Sequence, residues 1–275
     1  MMAETWSRKV PVLWPPMPEG DAITFENVTK CFGDGTLALD RVTLSVRPRE
    51  FLVIVGASGS GKTTLLQLIN RLSEPTAGRL NIGGTEANAL DPIALRRRMG
   101  YVFQEVGLFP HMTVAENIAI TPTLLGWDAA RTTARVGALL ALVRLDRAYA
   151  SRFPSQLFGG ERQRVGVARA LAAGPEVVLM DEPFSALDPL TRDGLAQDYR
   201  RLHDELQLTS VMITHDVLEA LGLADRIIVL QTGRIIAEGP PAALMTHEHA
   251  YVRELMQTPR KIAERVGALL AGGER

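Results

Sequence analysis

The stretch Phe51-Leu52-Val53-Ile54-Val55-Gly56-Ala57-Ser58-Gly59-Ser60-Gly61-Lys62-Thr63 decides the reading of this chain. Its first five residues form an unbroken apolar run, which predicts a strand buried on both faces. The next eight fit G-x-x-x-x-G-K-[ST]. Beyond them Leu65, Leu66, Leu68, Ile69 and Leu72 recur at helical spacing, predicting a helix over Thr63–Leu72. Strand, glycine-rich loop and helix form the context in which this motif holds phosphate. The glycines let backbone N–H groups turn inward around phosphate oxygens, and the helix N-terminus adds a positive field. Lys62 then reaches the β- and γ-phosphates, Thr63 offers a hydroxyl to Mg²⁺, and Thr64 completes the set. The pattern predicts a nucleoside triphosphate ligand.

A second apolar run, Val177-Val178-Leu179-Met180, ends in Asp181-Glu182. A carboxylate at the carboxyl end of a parallel strand beside a phosphate loop is placed to hold Mg²⁺, which assigns Asp181. Glu182 points to the other side of the strand tip, where it can take a proton from an attacking water.

The bulk properties set limits around this site. The chain has 275 residues, 46% of them hydrophobic, enough for one large α/β domain with a subdomain. Thirty Lys and Arg against 31 Asp and Glu argue against general affinity for nucleic acid. The single cysteine, Cys31, excludes an internal disulfide. No apolar run is long enough to cross a bilayer, and Pro11, Pro15, Pro16 and Pro18 interrupt any signal-peptide core. Residues 1–20, with Trp6 and Trp14, read as a Pro-rich tail.

With the motifs in this order, the chain resembles the ATP-binding-cassette (ABC) ATPases, specifically the ATP-hydrolysing subunits of bacterial import systems, from about Ile23 to Pro240. The resemblance implies that Phe32, in Lys30-Cys31-Phe32-Gly33, stacks on adenine. It implies that Gln104, in Tyr101-Val102-Phe103-Gln104, contacts Mg²⁺ and the attacking water. Ser185-Ala186-Leu187-Asp188 resembles the loop that communicates across a dimer, and His215, in Ile213-Thr214-His215-Asp216, the histidine at the γ-phosphate. The implied fold is that of a P-loop NTPase. It has a mostly parallel central sheet, an antiparallel β lobe from about 21 to 55 rejoined near 79–84, and a helical subdomain over about 105–165. The ATPase domain is expected over 21–240 and a helical tail over 241–275. Implied partners are membrane-spanning permease subunits, a second copy of the ATPase and, indirectly, a solute-binding protein. The implied place is the cytoplasmic face of the bacterial inner membrane, bound peripherally.

One motif departs from the family. Its signature loop is present as Leu157-Phe158-Gly159-Gly160-Glu161-Arg162-Gln163, ahead of a helix expected over Glu161–Ala172. Most members resemble one another in having serine at the position of Phe158 and commonly glutamine at that of Glu161. In the family this loop closes on the γ-phosphate held by the other subunit. Phenylalanine offers that phosphate no hydrogen bond and brings an apolar ring to a charged site. Impaired turnover, leaving a nucleotide-dependent dimerisation module, is therefore an alternative to a working motor.

Between Gln104 and the signature, Pro110 and the Thr113/Glu116 pair predict a turn and a capping box. Leu124-Leu125-Gly126-Trp127 and Arg164-Val165-Gly166-Val167-Ala168-Arg169-Ala170 are most similar to subunits that import quaternary amines such as glycine betaine, choline or carnitine. Importers of amino acids or other small solutes share much of this wording. Arg96-Arg97-Arg98 reads as a solvated helix end. Tyr251–Met256 and Ile262–Leu270 predict tail helices packed on the domain.

Overall fold

The computed structural model describes residues 20–272, so residues 1–19 of the Pro-rich segment, with Trp6 and Trp14, lie outside the described residues. The chain opens with β1 (Ile23–Cys31) and β2 (Leu37–Val46), an antiparallel pair. It then enters β3 (Phe51–Val55), the phosphate loop and α1 (Lys62–Ile69). β4 (Ala77–Ile82) and the two-residue β5 (Thr85–Glu86) return to the first pair. α2 (Pro92–Arg98) leads into β6 (Met99–Val102). A run of helices follows: α3 (Val114–Leu124), α4 (Ala129–Leu142), two short 3₁₀ turns at Arg147–Ser151 and Pro154–Gln156, and α5 (Gly159–Leu171). Then come β7 (Val177–Asp181), α6 (Pro189–Leu206), β8 (Thr209–Thr214), α7 (Val217–Leu223), β9 (Arg226–Gln231) and β10 (Arg234–Gly239). The chain finishes with α8 (Pro241–Leu244) and α9 (Ala250–Gly272).

Two sheets result. The smaller is antiparallel in the order β2-β1-β4-β5. The larger runs β10-β9-β3-β8-β7-β6, parallel except for β10, which lies antiparallel to β9. β3 explains its own apolar run. Phe51, Val53 and Val55 pack into the core beneath the helices that follow β6, while Leu52 and Ile54 face the core shared with α1 and the smaller sheet. All five are buried, as a central parallel strand requires.

The structure differs from the sequence reading in four places. The antiparallel lobe ends at Val46, because β3 pairs in parallel with β8 and β9 instead. α1 stops at Ile69, and Leu72 is exposed outside it: Arg71 turns left-handed at φ 54°, and the Leu72 and Ser73 N–H groups both fold back on the Gln67 carbonyl. α5 begins at Gly159, so both signature glycines are helical. The segments Tyr251–Met256 and Ile262–Leu270 fall in one continuous helix, α9, which follows the short α8, and Val252 and Met256 are buried in the main core.

Topology places the site. β3, β8 and β7 are consecutive neighbours and point the same way, so the loops leaving their carboxyl ends lie side by side. Those loops carry the phosphate motif, His215 and the Asp181-Glu182 pair.

Candidate phosphate-binding and hydrolytic site

The phosphate loop is shaped by what surrounds it. Gly61 has φ 104°, and a Cβ there would collide with the Ala38 carbonyl oxygen. Gly56 is equally confined: a Cβ would collide with the Leu230 carbonyl and come within 2.8 Å of Ser60 Oγ. The Gly233 N–H donates to Ser60 O at 3.0 Å, tying the loop to the β9–β10 turn. Ser60 is buried and its Oγ has no hydrogen-bond partner. Ala57, Ser58, Gly59 and Thr63 are exposed, and Thr64 is half-buried.

Lys62 is buried, and its Nζ donates to Gly56 O at 2.8 Å and Ala57 O at 3.0 Å. Burial lowers the ammonium pKa, opposed by the negative charges of Glu182 and Asp181. Asp181, at the tip of β7, shifts the other way. Burial raises its carboxyl pKa, the neighbouring Glu182 raises it further, and a bond from Tyr101 with the Lys62 charge only partly compensates. The Tyr101 hydroxyl lies 3.5 Å from Asp181 Oδ2.

Glu182 occupies the left-handed region at φ 44°, which a glutamate adopts only when its surroundings hold it. Its N–H donates to Ile213 O at 3.0 Å, fastening the β7 tip to β8. Across that seam His215 Nδ1 lies 2.9 Å from Glu182 Oε2. Residues 33 apart in sequence thus meet at the carboxyl edge of the sheet.

The remaining candidates lie on neighbouring segments. Phe32, 40% exposed, lies in the β1–β2 hairpin turn with the Lys30 ammonium 5.2 Å from its ring centroid. The start of β2 brings that hairpin against the loop, since Ala38 is the residue abutting Gly61. Gln104 is exposed just beyond β6, the neighbour of β7. Its loop is pinned downstream by Arg169 of α5, which donates to Val106 O at 2.6 Å and Gly107 O at 2.7 Å. The Asp188 carboxylate caps α6 by accepting the Thr191 N–H at 3.1 Å.

Phe158 is the N-cap of α5, extended at φ −74° and ψ 165°, and the residue is 81% exposed. No side-chain oxygen caps the helix from this position. Glu161 supplies the reverse half of a capping box, its Oε2 accepting the Phe158 N–H at 2.9 Å, while Oε1 accepts the Tyr149 hydroxyl at 2.6 Å. Gly159 and Gly160 face Leu187 and Thr191, so α5 and α6 begin side by side. Among the described residues no hydrogen bond joins Phe158–Glu161 to the phosphate loop of the same chain.

Two residues of this site carry no role in the sequence reading. Tyr101 belongs to the segment leading to Gln104, and only the β6–β7 pairing brings its hydroxyl to Asp181. Arg192 follows Asp188 by four residues, and nothing in the sequence states which loops its guanidinium meets.

The donor set suits a hard divalent cation. Among the described residues there is no cluster of three or more His, Cys, Asp or Glu that could hold a metal alone. Asp181 and Thr63 offer a carboxylate and a hydroxyl, and Mg²⁺ sites of this kind are completed by water and by the substrate's own phosphate oxygens.

Comparisons with known proteins identify the family. The family model described as ABC transporter matches residues 39–185. The choline transport ATP-binding protein OpuBA of Bacillus subtilis is 45% identical over 241 residues, covering 87% of this chain and 63% of that protein. The glycine betaine uptake system ATP-binding protein YehX of Escherichia coli is 47% identical over 224 residues, covering 82% of this chain and 72% of that protein. A solved structure of the ATP-binding cassette MJ0796, dimeric and bound to ADP and Pi after hydrolysis, aligns with a TM-score of 0.72 at 36% identity, over 79% of this chain and 98% of that one. The chain thus spans a little under two thirds of the choline-transport relative. No helix among the described residues is long and apolar enough to cross a membrane.

Proposed function

The chain belongs to the ABC transporter family of ATP-binding subunits, and on that premise we propose that it hydrolyses ATP to power import of a quaternary amine such as choline, carnitine or glycine betaine. The observation that carries the hydrolytic reading is the His215–Glu182 contact, 2.9 Å, on the strand tips beside the Lys62 loop. ATP lies with its adenine on Phe32 and its phosphates in the loop Gly56–Thr64. Inward-facing N–H groups and Lys62 bind the β- and γ-phosphates there.

Thr63 and Asp181, with Gln104 at the edge, would hold Mg²⁺, which when bound neutralises charge developing on the phosphate oxygens. Glu182 accepts a proton from a water whose oxygen attacks the γ-phosphorus. The bond from phosphorus to the bridging oxygen breaks, leaving ADP and inorganic phosphate. Because the histidine contact uses Nδ1, Nε2 is left for the γ-phosphate. A second copy contributes Phe158, Gly159, Gly160 and Glu161 against that phosphate, and Asp188 lies where the two copies meet.

The chain works against permease subunits at the cytoplasmic face of the membrane, and a solute-binding protein delivers the cargo. Identities of 45% and 47% to subunits named for choline and glycine betaine transport support the solute class. Phe158 favours a second reading, in which two copies close on ATP and turn over poorly.

Steady-state, Mg²⁺-dependent ATPase activity of the purified chain beside Glu182→Gln tests the first reading: turnover in the parent that vanishes in the variant supports it. Uptake of labelled choline, carnitine and glycine betaine by cells with and without the gene tests the solute. Undiminished uptake of all three without it would remove that assignment.

A further inference from the structure

We propose that Arg192 is the positioning residue that holds the loops bearing Glu182 and His215 in register. The inference deepens the ATPase reading above and rests on it.

Arg192 stands in the first turn of α6 with its side chain 28% exposed. Its guanidinium joins three segments. Nη2 donates to Leu187 O at 3.1 Å and Ser185 O at 3.4 Å, in the loop that begins at Glu182. Nη1 donates to Asp216 Oδ2 at 3.1 Å, on the residue that follows His215. Nε is buried without a hydrogen bond, 3.8 Å from Oε1 of Glu219 in α7.

Each acceptor belongs to a loop that is itself tightly turned. The Ser185 hydroxyl and N–H both donate to Glu182 O, at 3.0 and 3.3 Å. On the other side the Asp216 N–H donates to Thr214 Oγ1 at 3.0 Å, and that hydroxyl donates to Glu219 Oε2 at 2.7 Å. One planar fork therefore fixes the separation of two stiff turns, and the His215–Glu182 contact spans the same gap. The left-handed φ of Glu182 needs such support.

Lysine cannot reproduce the arrangement. Its single ammonium is a point charge, whereas the guanidinium donates from separate nitrogens in fixed directions.

The test uses the full chain with Arg192→Met and Arg192→Lys. A displaced catalytic pair lowers the chemical step by about tenfold while ATP binding, made elsewhere in the loop, changes little. We expect kcat down about tenfold in Arg192→Met with KM within about twofold, and partial recovery in Arg192→Lys. The second readout needs no nucleotide: the imidazole Cε1–H resonance of His215, assigned with His215→Gln, should shift or broaden in Arg192→Met. His203, buried and 2.9 Å from Ser210 Oγ toward the other end of α6, should not move. If Arg192→Met loses its fold, seen as a displaced His203 signal, Arg192→Lys carries both readouts.

An unmoved His215 resonance, or a raised KM at constant kcat, overturns the proposal. A parent chain without turnover overturns the ATPase reading, and the histidine readout then decides the role of Arg192 by itself.

Discussion

Replacing Phe158 with serine should make this protein both more stable and faster, for two separable reasons. The backbone at Phe158 already has N-cap geometry, and Glu161 already accepts the Phe158 N–H, so half of a Ser-x-x-Glu capping box stands formed. A serine hydroxyl would add the missing half by accepting an N–H of the first turn of α5, worth about 1 kcal/mol. In a chain of this size that is about 2 °C in Tm. Phe158 is 81% exposed, so little packing is lost.

The catalytic gain is a different quantity. In the proposed dimer the same hydroxyl meets the γ-phosphate of the other copy. A charge-assisted hydrogen bond of about 1.5–3 kcal/mol, felt in the transition state, corresponds to roughly 10- to 150-fold in kcat. Urea unfolding and steady-state ATPase assays on the parent, Phe158→Ser and Phe158→Ala separate these effects. Alanine removes the ring without supplying an acceptor, and it is a poor N-cap. Serine no more stable than phenylalanine would refute the capping argument. Serine no faster would refute the phosphate contact, and alanine as fast as serine would make the bulk of the ring the obstacle.

Three further outcomes follow from the geometry. Gly56→Ala should lower stability by about 1–3 kcal/mol, the range for forcing atoms into filled space, because its Cβ collides with the Leu230 carbonyl. Urea midpoints check it, and an unchanged midpoint would contradict the packing. Glu50→Gln should cost about 3 kcal/mol, since it strips a buried partner from Arg226, held at 2.8 Å, although Arg226 keeps Glu238 at 3.1 Å. Burial pushes the Glu50 carboxyl up, but hydrogen bonds from Arg226 and Arg47 outweigh it and hold the folded pKa below 4.5. That stabilisation is complete above the unfolded value and lost as pH falls through the folded one, so the parent's advantage over Glu50→Gln should vanish in acid urea melts. Tyr101→Phe removes a bond that favours ionised Asp181, so the acid limb of the ATPase pH profile should move to higher pH; an unmoved limb would sink the assignment.

What the sequence made legible was local. The run Phe51–Val55, the glycines after it and the apolar spacing of Leu65–Ile69 each depend on neighbours within a few residues, and strand, loop and helix appear where those patterns put them. The Thr113–Glu116 capping box is likewise a three-residue relation, and both halves form, with Thr113 N–H to Glu116 Oε2 at 2.7 Å and Glu116 N–H to Thr113 Oγ1 at 3.2 Å. Leu72 misled because helical spacing does not register where the backbone turns; that was decided by Arg71 and the Gln67 carbonyl. The edge of the antiparallel lobe is set at longer range, by the parallel pairing of β3 with β8 and β9, and the partners of a strand are not written in the strand.

The same distinction governs the site. Lys62, Asp181, Glu182 and His215 are recognisable one at a time, but only the strand order β3-β8-β7 makes them neighbours. Arg192 marks the limit of such reading. Its acceptors are two backbone carbonyls and a carboxylate 24 residues away, and carbonyls carry no sequence signature. A residue that acts through carbonyls is visible only after the chain has folded around it. For a cassette like this one, the motifs therefore name the groups that touch ATP, while the groups that keep those motifs in register have to be sought in the hydrogen bonds between loops.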